Sequence, residues 1–248
     1  MDGLRYVAPA TVDEAVAALA GATGTAKLLS GGTDLLVQLR SGRVRPDLIV
    51  DTKRIPGLIG IKEENGGFLI GAATSGAMLD EHAALSKAWP GVVEGMELIG
   101  STQVQGRASL VGNLCNASPA ADSVPALIAA RATCVIAGPK GQREAPVETI
   151  AVGPGKTSLA RDEMIIAFKL PKRPAHAADA YLRFIPRTEM DIAVVGAAVN
   201  VTLDGSGVCT DAMVVLGAVA PTAVIVPDAA KALIGSKLDD AALEKLDA

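Results

Sequence analysis

The stretch Leu28-Leu29-Ser30-Gly31-Gly32-Thr33-Asp34 constrains the fold more than any other, because a short apolar run breaks on two adjacent glycines and restarts at once as an apolar helical pattern. A strand that turns on glycine into a helix is a building unit of layered α/β structure. The turn brings successive backbone N–H groups towards one point beside a helix start, which suits a pyrophosphate. Glycine lacks the Cβ that would block close approach, and it tolerates positive φ, where a substituted residue costs on the order of 1 kcal/mol or more. The same residues also serve an ordinary tight turn with Thr33 or Asp34 as a helix cap.

A second stretch, Ser109-Leu110-Val111-Gly112-Asn113-Leu114-Cys115-Asn116-Ala117-Ser118-Pro119-Ala120-Ala121-Asp122, reads as a polar loop, neither a clean helix nor a clean strand. Ser109 and Asn113 offer hydrogen-bonding side chains there, and Gly112 alone lacks bulk. Asp122 precedes Ser123-Val124-Pro125 and reads equally as a helix cap or as a carboxylate accepting hydrogen bonds from ligand hydroxyls. Two such loops imply one extended, phosphate-bearing ligand.

Composition removes several function classes. Half of the 248 residues are apolar and only 2% aromatic, so the interior is built from Ala, Val, Leu and Ile, and platforms for stacking bases are scarce. With a formal net charge of -4 and no long run of like charge, nucleic acid is not an expected partner. Met1-Asp2-Gly3-Leu4-Arg5-Tyr6 has no basic segment leading into an apolar one, and no apolar run approaches about 18 residues, so a cytoplasmic chain without membrane insertion is expected. Cys115, Cys134 and Cys209 are odd in number and widely spaced, which fits free thiols in a reducing compartment. They cannot hold a four-cysteine iron-sulfur cluster within the chain. With only His82 and His176 available, neither a histidine-rich metal site nor a Ser/His/Asp hydrolase is expected. Gly153-Pro154-Gly155-Lys156-Thr157 ends like a phosphate-binding loop, but Ile150 stands where its first glycine belongs.

The capping-box spacing of Thr11 and Glu14 opens a helix to Ala20. Strands are predicted at 27–29, 48–50, 67–72, 133–137 and 163–170. A helix is predicted over 34–39, and helical spacing over 76–100 is interrupted at Trp89-Pro90-Gly91; another helix follows over 125–132. Pro171 and Pro174 mark a boundary. Beyond it, 194–203 and 212–219 flank the hairpin signal Asp204-Gly205-Ser206-Gly207, a helix from Pro227 covers them, and a last helical pattern begins at Asp239.

The paired glycine loops, with Leu48-Ile49-Val50-Asp51, Leu69-Ile70-Gly71-Ala72, Tyr181-Leu182-Arg183-Phe184 and Met190-Asp191-Ile192-Ala193, closely resemble the FAD-binding medium subunit of molybdenum hydroxylases, the relatives of xanthine dehydrogenase and carbon monoxide dehydrogenase. The resemblance covers nearly the whole chain. It implies an α+β fold: a two-subdomain FAD-binding domain of the PCMH or CO dehydrogenase flavoprotein type over 1–173, with subdomains at about 1–57 and 58–173. Over 174–248 it implies a small domain with a three-stranded antiparallel sheet and helices, which reads as cut short. By the same resemblance, Leu28, Leu29, Ser30, Gly31, Gly32, Thr33, Asp34 and Leu35, together with Ser109, Leu110, Val111, Gly112 and Asn113, wrap the FAD pyrophosphate. Asp122 matches an acidic FAD contact, Ile165 an apolar one and Arg183 a basic one.

The activity so implied is electron relay. A molybdenum-binding large subunit oxidises substrate, a 2Fe-2S small subunit carries the electrons, and FAD in this chain delivers them to a terminal acceptor, within a dimer of heterotrimers. The molybdenum cofactor and the iron-sulfur clusters are expected only in those partners, and no side chain of this chain need be a proton donor or nucleophile. The alternatives are a stand-alone FAD-dependent oxidase and a flavin-free assembly module. The sequence departs from the family at Gln105-Gly106-Arg107-Ala108 and at Val111, which takes the place of a glycine and would resist positive φ.

Overall fold

The computed structural model describes residues 3–188 and 190–247. Strand β1 (Arg5–Val7), helix α1 (Val12–Ala20), β2 (Ala26–Leu29), α2 (Leu35–Arg40) and β3 (Leu48–Asp51) form the first layer pair. The three strands are parallel in the order β1-β3-β2. Helix α1 starts as its sequence predicts: Thr11 Oγ1 accepts the Glu14 N–H at 3.1 Å, while the Glu14 carboxylate accepts the Ala10 N–H at 2.7 Å, one residue further out than in a strict capping box. Its buried face, Ala15, Val16 and Leu19, packs with Leu48, Val50, Ile55 and Leu58.

The second unit runs through β4 (Ile61–Glu64), β5 (Gly67–Gly71), α3 (Gly76–Asp80), α4 (Ala83–Ala88), α5 (Pro90–Glu97), α6 (Thr102–Gln105), α7 (Leu110–Asn116), α8 (Ser123–Ala129), β6 (Thr133–Gly138), β7 (Gly141–Pro146), β8 (Ala151–Gly153), β9 (Lys156–Thr157) and β10 (Met164–Leu170). Its antiparallel sheet has the order β4-β5-β10-β6-β7. Trp89 closes α4 by donating its N–H to Leu85 at 2.7 Å, and Pro90 opens α5 at the position where a missing N–H costs nothing. The phosphate-loop look-alike becomes the β8–β9 hairpin, with no helix behind it.

The third unit is β11 (Ala177–Phe184), β12 (Val195–Leu203), β13 (Cys209–Gly217), β14 (Val224–Ile225), α9 (Pro227–Leu233) and α10 (Asp240–Asp247). The hairpin signal is real: Asp204 Oδ1 accepts the N–H groups of Ser206 at 2.8 Å and Val208 at 3.0 Å. The antiparallel sheet has four strands rather than three, in the order β11-β12-β13-β14. The additional strand is two residues long, too short for any alternation to announce it.

One helix ties these parts together. All seven residues of α8 are buried, and a single apolar core joins Leu127 and Ile128 to Ile70, Ile136 and Phe168 of the mixed layers and to Tyr181, Ala198 and Val215 of the last sheet. Asn200 of β12 donates its amide to the Ala129 carbonyl at the end of α8 at 3.0 Å. Among the described residues no helix is long and apolar enough to cross a membrane.

Two expectations change. Residues 110–116 are helical rather than a loop: Ser109 Oγ accepts the Gly112 N–H at 3.1 Å as an N-cap, and Leu110, Val111 and Leu114 bury one face. The helix is only seven residues long and ends on Ala117 at φ 50°, so the periodicity never repeats enough to be read. Val111 therefore sits in right-handed helical backbone, and the expected strain does not arise. Seven strands, β1, β4, β7, β8, β9, β11 and β14, also escaped the pattern. Of these, β4 and β7 are sheet edges with exposed charged runs, Lys62-Glu63-Glu64 and Gln142-Arg143-Glu144, which suit an edge and hide the alternation.

Because Leu127 is fully buried where α8 meets both flanking layers, Leu127→Ala is expected to lower unfolding stability by about 2–5 kcal/mol, read as a fall in the urea midpoint.

Candidate functional site

The principal cleft has a volume of about 400 Å³ and opens at the carboxyl end of β2, where open parallel sheets hold ligands. Leu28, Ser30, Gly31, Gly32, Thr33, Asp34 and Leu35 form one wall; Ser109, Val111, Gly112 and Asn113 form the other, and Ile165 of β10 lies between them. The two sequence-predicted segments thus face each other across one space.

Backbone contacts set its width. The Leu29 carbonyl accepts the Thr52 N–H at 3.1 Å, and the Ser30 and Ser109 hydroxyls are 3.1 Å apart. A Cβ at Gly31 would stand 1.8 Å from the Arg107 carbonyl oxygen, so this glycine admits the neighbouring main chain rather than, as expected, the ligand. Gly32 has φ 80°, and a Cβ there would also meet Leu29 Cδ1 at 2.9 Å. Gly112 differs: a Cβ would touch only Ser109 Oγ, at 3.2 Å.

The donors left over are main-chain groups. Among the described residues, the N–H groups of Gly31, Gly32, Thr33, Asp34 and Leu35, and those of Leu110 and Val111 at the start of α7, donate to no protein acceptor. Asn113 turns its Oδ1 to the Ser123 hydroxyl at 2.7 Å, fixing the side chain against α8. Asp34 does not cap α2. Its backbone is already helical, and its carboxylate instead accepts from Asn116 Nδ2 at 3.2 Å, while Asn116 Oδ1 accepts from Gln38 at 3.2 Å, a polar latch between α2 and α7.

Four predicted residues lie off the cleft lining: Leu29, Leu110, Asp122 and Arg183. Leu110 is core. Asp122 does not cap α8, because its backbone is helical and its side chain points to the last sheet, accepting from the Tyr181 hydroxyl at 3.0 Å and from Arg183 Nη1 at 2.8 Å. Burial pushes the Asp122 carboxyl upward against the opposing pull of Arg183 and Tyr181. Arg183 Nε is buried and finds no acceptor among the described residues.

The sequence missed a further wall. Gln38, Cys115, Asn116, Thr157, Arg161 and Glu163 also line the cleft, the last two from the irregular segment between β9 and β10. Burial pushes the Cys115 thiol up to about 12, so it is a neutral group and no nucleophile. Glu163 receives Arg143 Nε at 2.7 Å and the Ala160 N–H at 2.9 Å, and the Arg143 hydrogen bond is the main force holding its carboxyl down at about 2.

Residues 2–173 match the family model of the FAD binding domain in molybdopterin dehydrogenase, and residues 180–247 match that of the CO dehydrogenase flavoprotein C-terminal domain. The chain belongs to this family of FAD-binding subunits. It is 35% identical over 225 residues to the putative xanthine dehydrogenase FAD-binding subunit XdhB of Escherichia coli K12, covering 90% of this chain and 76% of that one. It is 33% identical over 220 residues to the carbon monoxide dehydrogenase medium chain of Hydrogenophaga pseudoflava, covering 89% and 76%. The solved carbon monoxide dehydrogenase from that organism, in the form lacking the Mo-pyranopterin moiety of its molybdenum cofactor, superposes with a TM-score of 0.92 at 32% identity over 98% of this chain and 84% of that chain. As a FAD-binding subunit of the molybdenum hydroxylases, the protein is an oxidoreductase component.

Two outcomes follow from the geometry. In this FAD-binding subunit Asp122→Ala strands a buried guanidinium and is expected to cost about 3–5 kcal/mol of unfolding stability in chemical denaturation. The Glu163 carboxyl lies below its ordinary 4.5, so its stabilisation is complete above pH 4.5 and is lost as pH falls towards 2; Glu163→Gln should flatten the dependence of melting temperature on pH in that window, by an amount within the roughly 0–1 kcal/mol of an exposed pair.

Proposed function

We propose that this subunit holds FAD with the pyrophosphate in the cleft between 28–35 and 109–113 and relays electrons to a terminal acceptor. The observation that carries the reading is the set of main-chain N–H groups without protein acceptors on the cleft-lining residues Gly31 to Leu35 and Val111. Donors of that kind neutralise a dianionic pyrophosphate without a cationic side chain, and buried donors without partners are costly unless a ligand or water takes them.

Bound FAD supplies the capacity to exchange electrons with carriers on either side. The chain's own residues bind and orient. Ile165 gives an apolar wall, Gln38 and Asn116 stay locked together, and Cys115 stays protonated. Asp122 and Arg183, which match acidic and basic FAD contacts of the family, sit off the cleft lining at the seam with the last sheet. In this reading 1–173 forms the FAD-binding domain, with subdomains at about 1–57 and 58–173, and 174–248 the smaller one.

Electrons reach this chain from the 2Fe-2S clusters of a small subunit, fed by a molybdenum-binding large subunit, in a cytoplasmic dimer of heterotrimers. Relatives that are called a medium chain and a dehydrogenase complex subunit support a multi-subunit setting. The flavin-free alternative loses its footing, since it rested on Val111 and that residue is an ordinary helical one.

The full chain isolated with its partners is expected to show the yellow absorbance of oxidised flavin. Gly112→Val, which adds bulk on the cleft lining and whose Cβ would meet only Ser109 Oγ, is expected to abolish that absorbance while leaving the melting temperature of the flavin-free chain unchanged. A folded, colourless wild-type assembly would overturn the reading.

A further inference from the structure

The first wall of the cleft is held from behind by a relay of side chains that does not line the cleft. Tyr6 on β1 donates its hydroxyl to Asp51 Oδ2 at 2.6 Å. Asp51, at the end of β3 and 7% exposed, accepts the Lys53 ammonium on Oδ1 at 2.7 Å and the Lys53 N–H on the same oxygen at 3.0 Å. Lys53 Nζ donates in turn to the carbonyl oxygen of Ser30 at 3.0 Å. The residue before it, Thr52, holds the Leu29 carbonyl through its N–H and, at 3.3 Å, through its hydroxyl.

A peptide unit is planar and trans, so a carbonyl pinned on one side fixes the N–H of the next residue on the other. The Ser30 carbonyl shares its plane with the Gly31 N–H, the first of the unpartnered donors. An ammonium bound to that carbonyl also polarises the amide and makes its N–H a stronger donor. Glycine cannot hold the plane by itself, because it has no side chain to restrict φ and ψ.

Resting on the FAD reading above, we infer that Lys53, gripped by Asp51 and Tyr6, is a positioning residue that aims and strengthens the Gly31 N–H for the cofactor's pyrophosphate. It acts through the Ser30 peptide and does not itself touch the ligand. Its target is the diphosphate shared by FAD and ADP, and the nucleoside end gains nothing from it.

The test compares the full-length wild type with Lys53→Met and Asp51→Asn after removal of flavin, titrating each with FAD, ADP and adenosine. Lys53→Met is expected to weaken FAD and ADP by the same factor, about tenfold, to leave adenosine unchanged, and to move the phosphorus NMR resonances of bound ADP. Asp51→Asn keeps the ammonium but loosens its grip, and should show the same ligand profile at smaller amplitude. Wild-type FAD and ADP affinities in Lys53→Met, or a loss shared equally by adenosine, would overturn the inference. If Lys53→Met does not fold, Asp51→Asn decides on the same criteria. A wild-type chain that binds neither FAD nor ADP would fail the parent reading instead.

Discussion

The contact on which the cleft depends is one between main chains. Gly31 meets the carbonyl of Arg107 at a distance no side chain would permit, and the Ser30 and Ser109 hydroxyls close the same seam. At the cleft the parallel three-stranded layer and the larger antiparallel layer are thereby brought together at their loops, while Ala137 and Met164 of the larger layer pack into the core of the smaller one. Everything ligand-facing inherits this closeness. The free N–H groups of 31–35 lie opposite the first turn of α7 because the two segments are already touching a few residues away.

The last sheet is attached by a different principle. Its inner face completes the main apolar core around α8, which supplies adhesion without direction. Direction comes from polar contacts at the margin: Asp122 with Tyr181 and Arg183, Asn200 with the end of α8, and Arg173 between the Trp89 ring and Asp179. Buried charge pairs of this kind add little net stability but make any other docking expensive, since a displaced sheet would leave Asp122 or Arg183 without a partner.

Most of the site was legible because glycine leaves a visible mark. Gly31-Gly32 after an apolar run located the first wall, and Gly112 located the second, although the seven-residue helix around it looked like a loop. The reason offered for Gly31 was incomplete, because a sequence does not show which atom occupies the space a Cβ would have filled. Asp122 reads from sequence as a cap or a ligand contact, whereas its carboxylate binds Tyr181 and Arg183, 59 and 61 residues away, which no local pattern encodes. The wall from Leu159 to Glu163 was invisible for the opposite reason: its residues lie in irregular chain between β9 and β10, with no periodicity to mark them.

The edges of the last sheet carry a consequence for assembly. On the long edge, α5 engages β11 at two points: the Tyr181 N–H donates to the Glu94 carboxylate at 2.8 Å, and the Asp179 side-chain carboxylate receives the Gly91 N–H at 2.9 Å. On the other edge, β14 is two residues long and runs into Pro227, which has no N–H to offer. Both features make these margins poorer templates for an incoming strand. A strand added to this sheet would have to displace the α5 contacts on one side or pass Pro227 on the other.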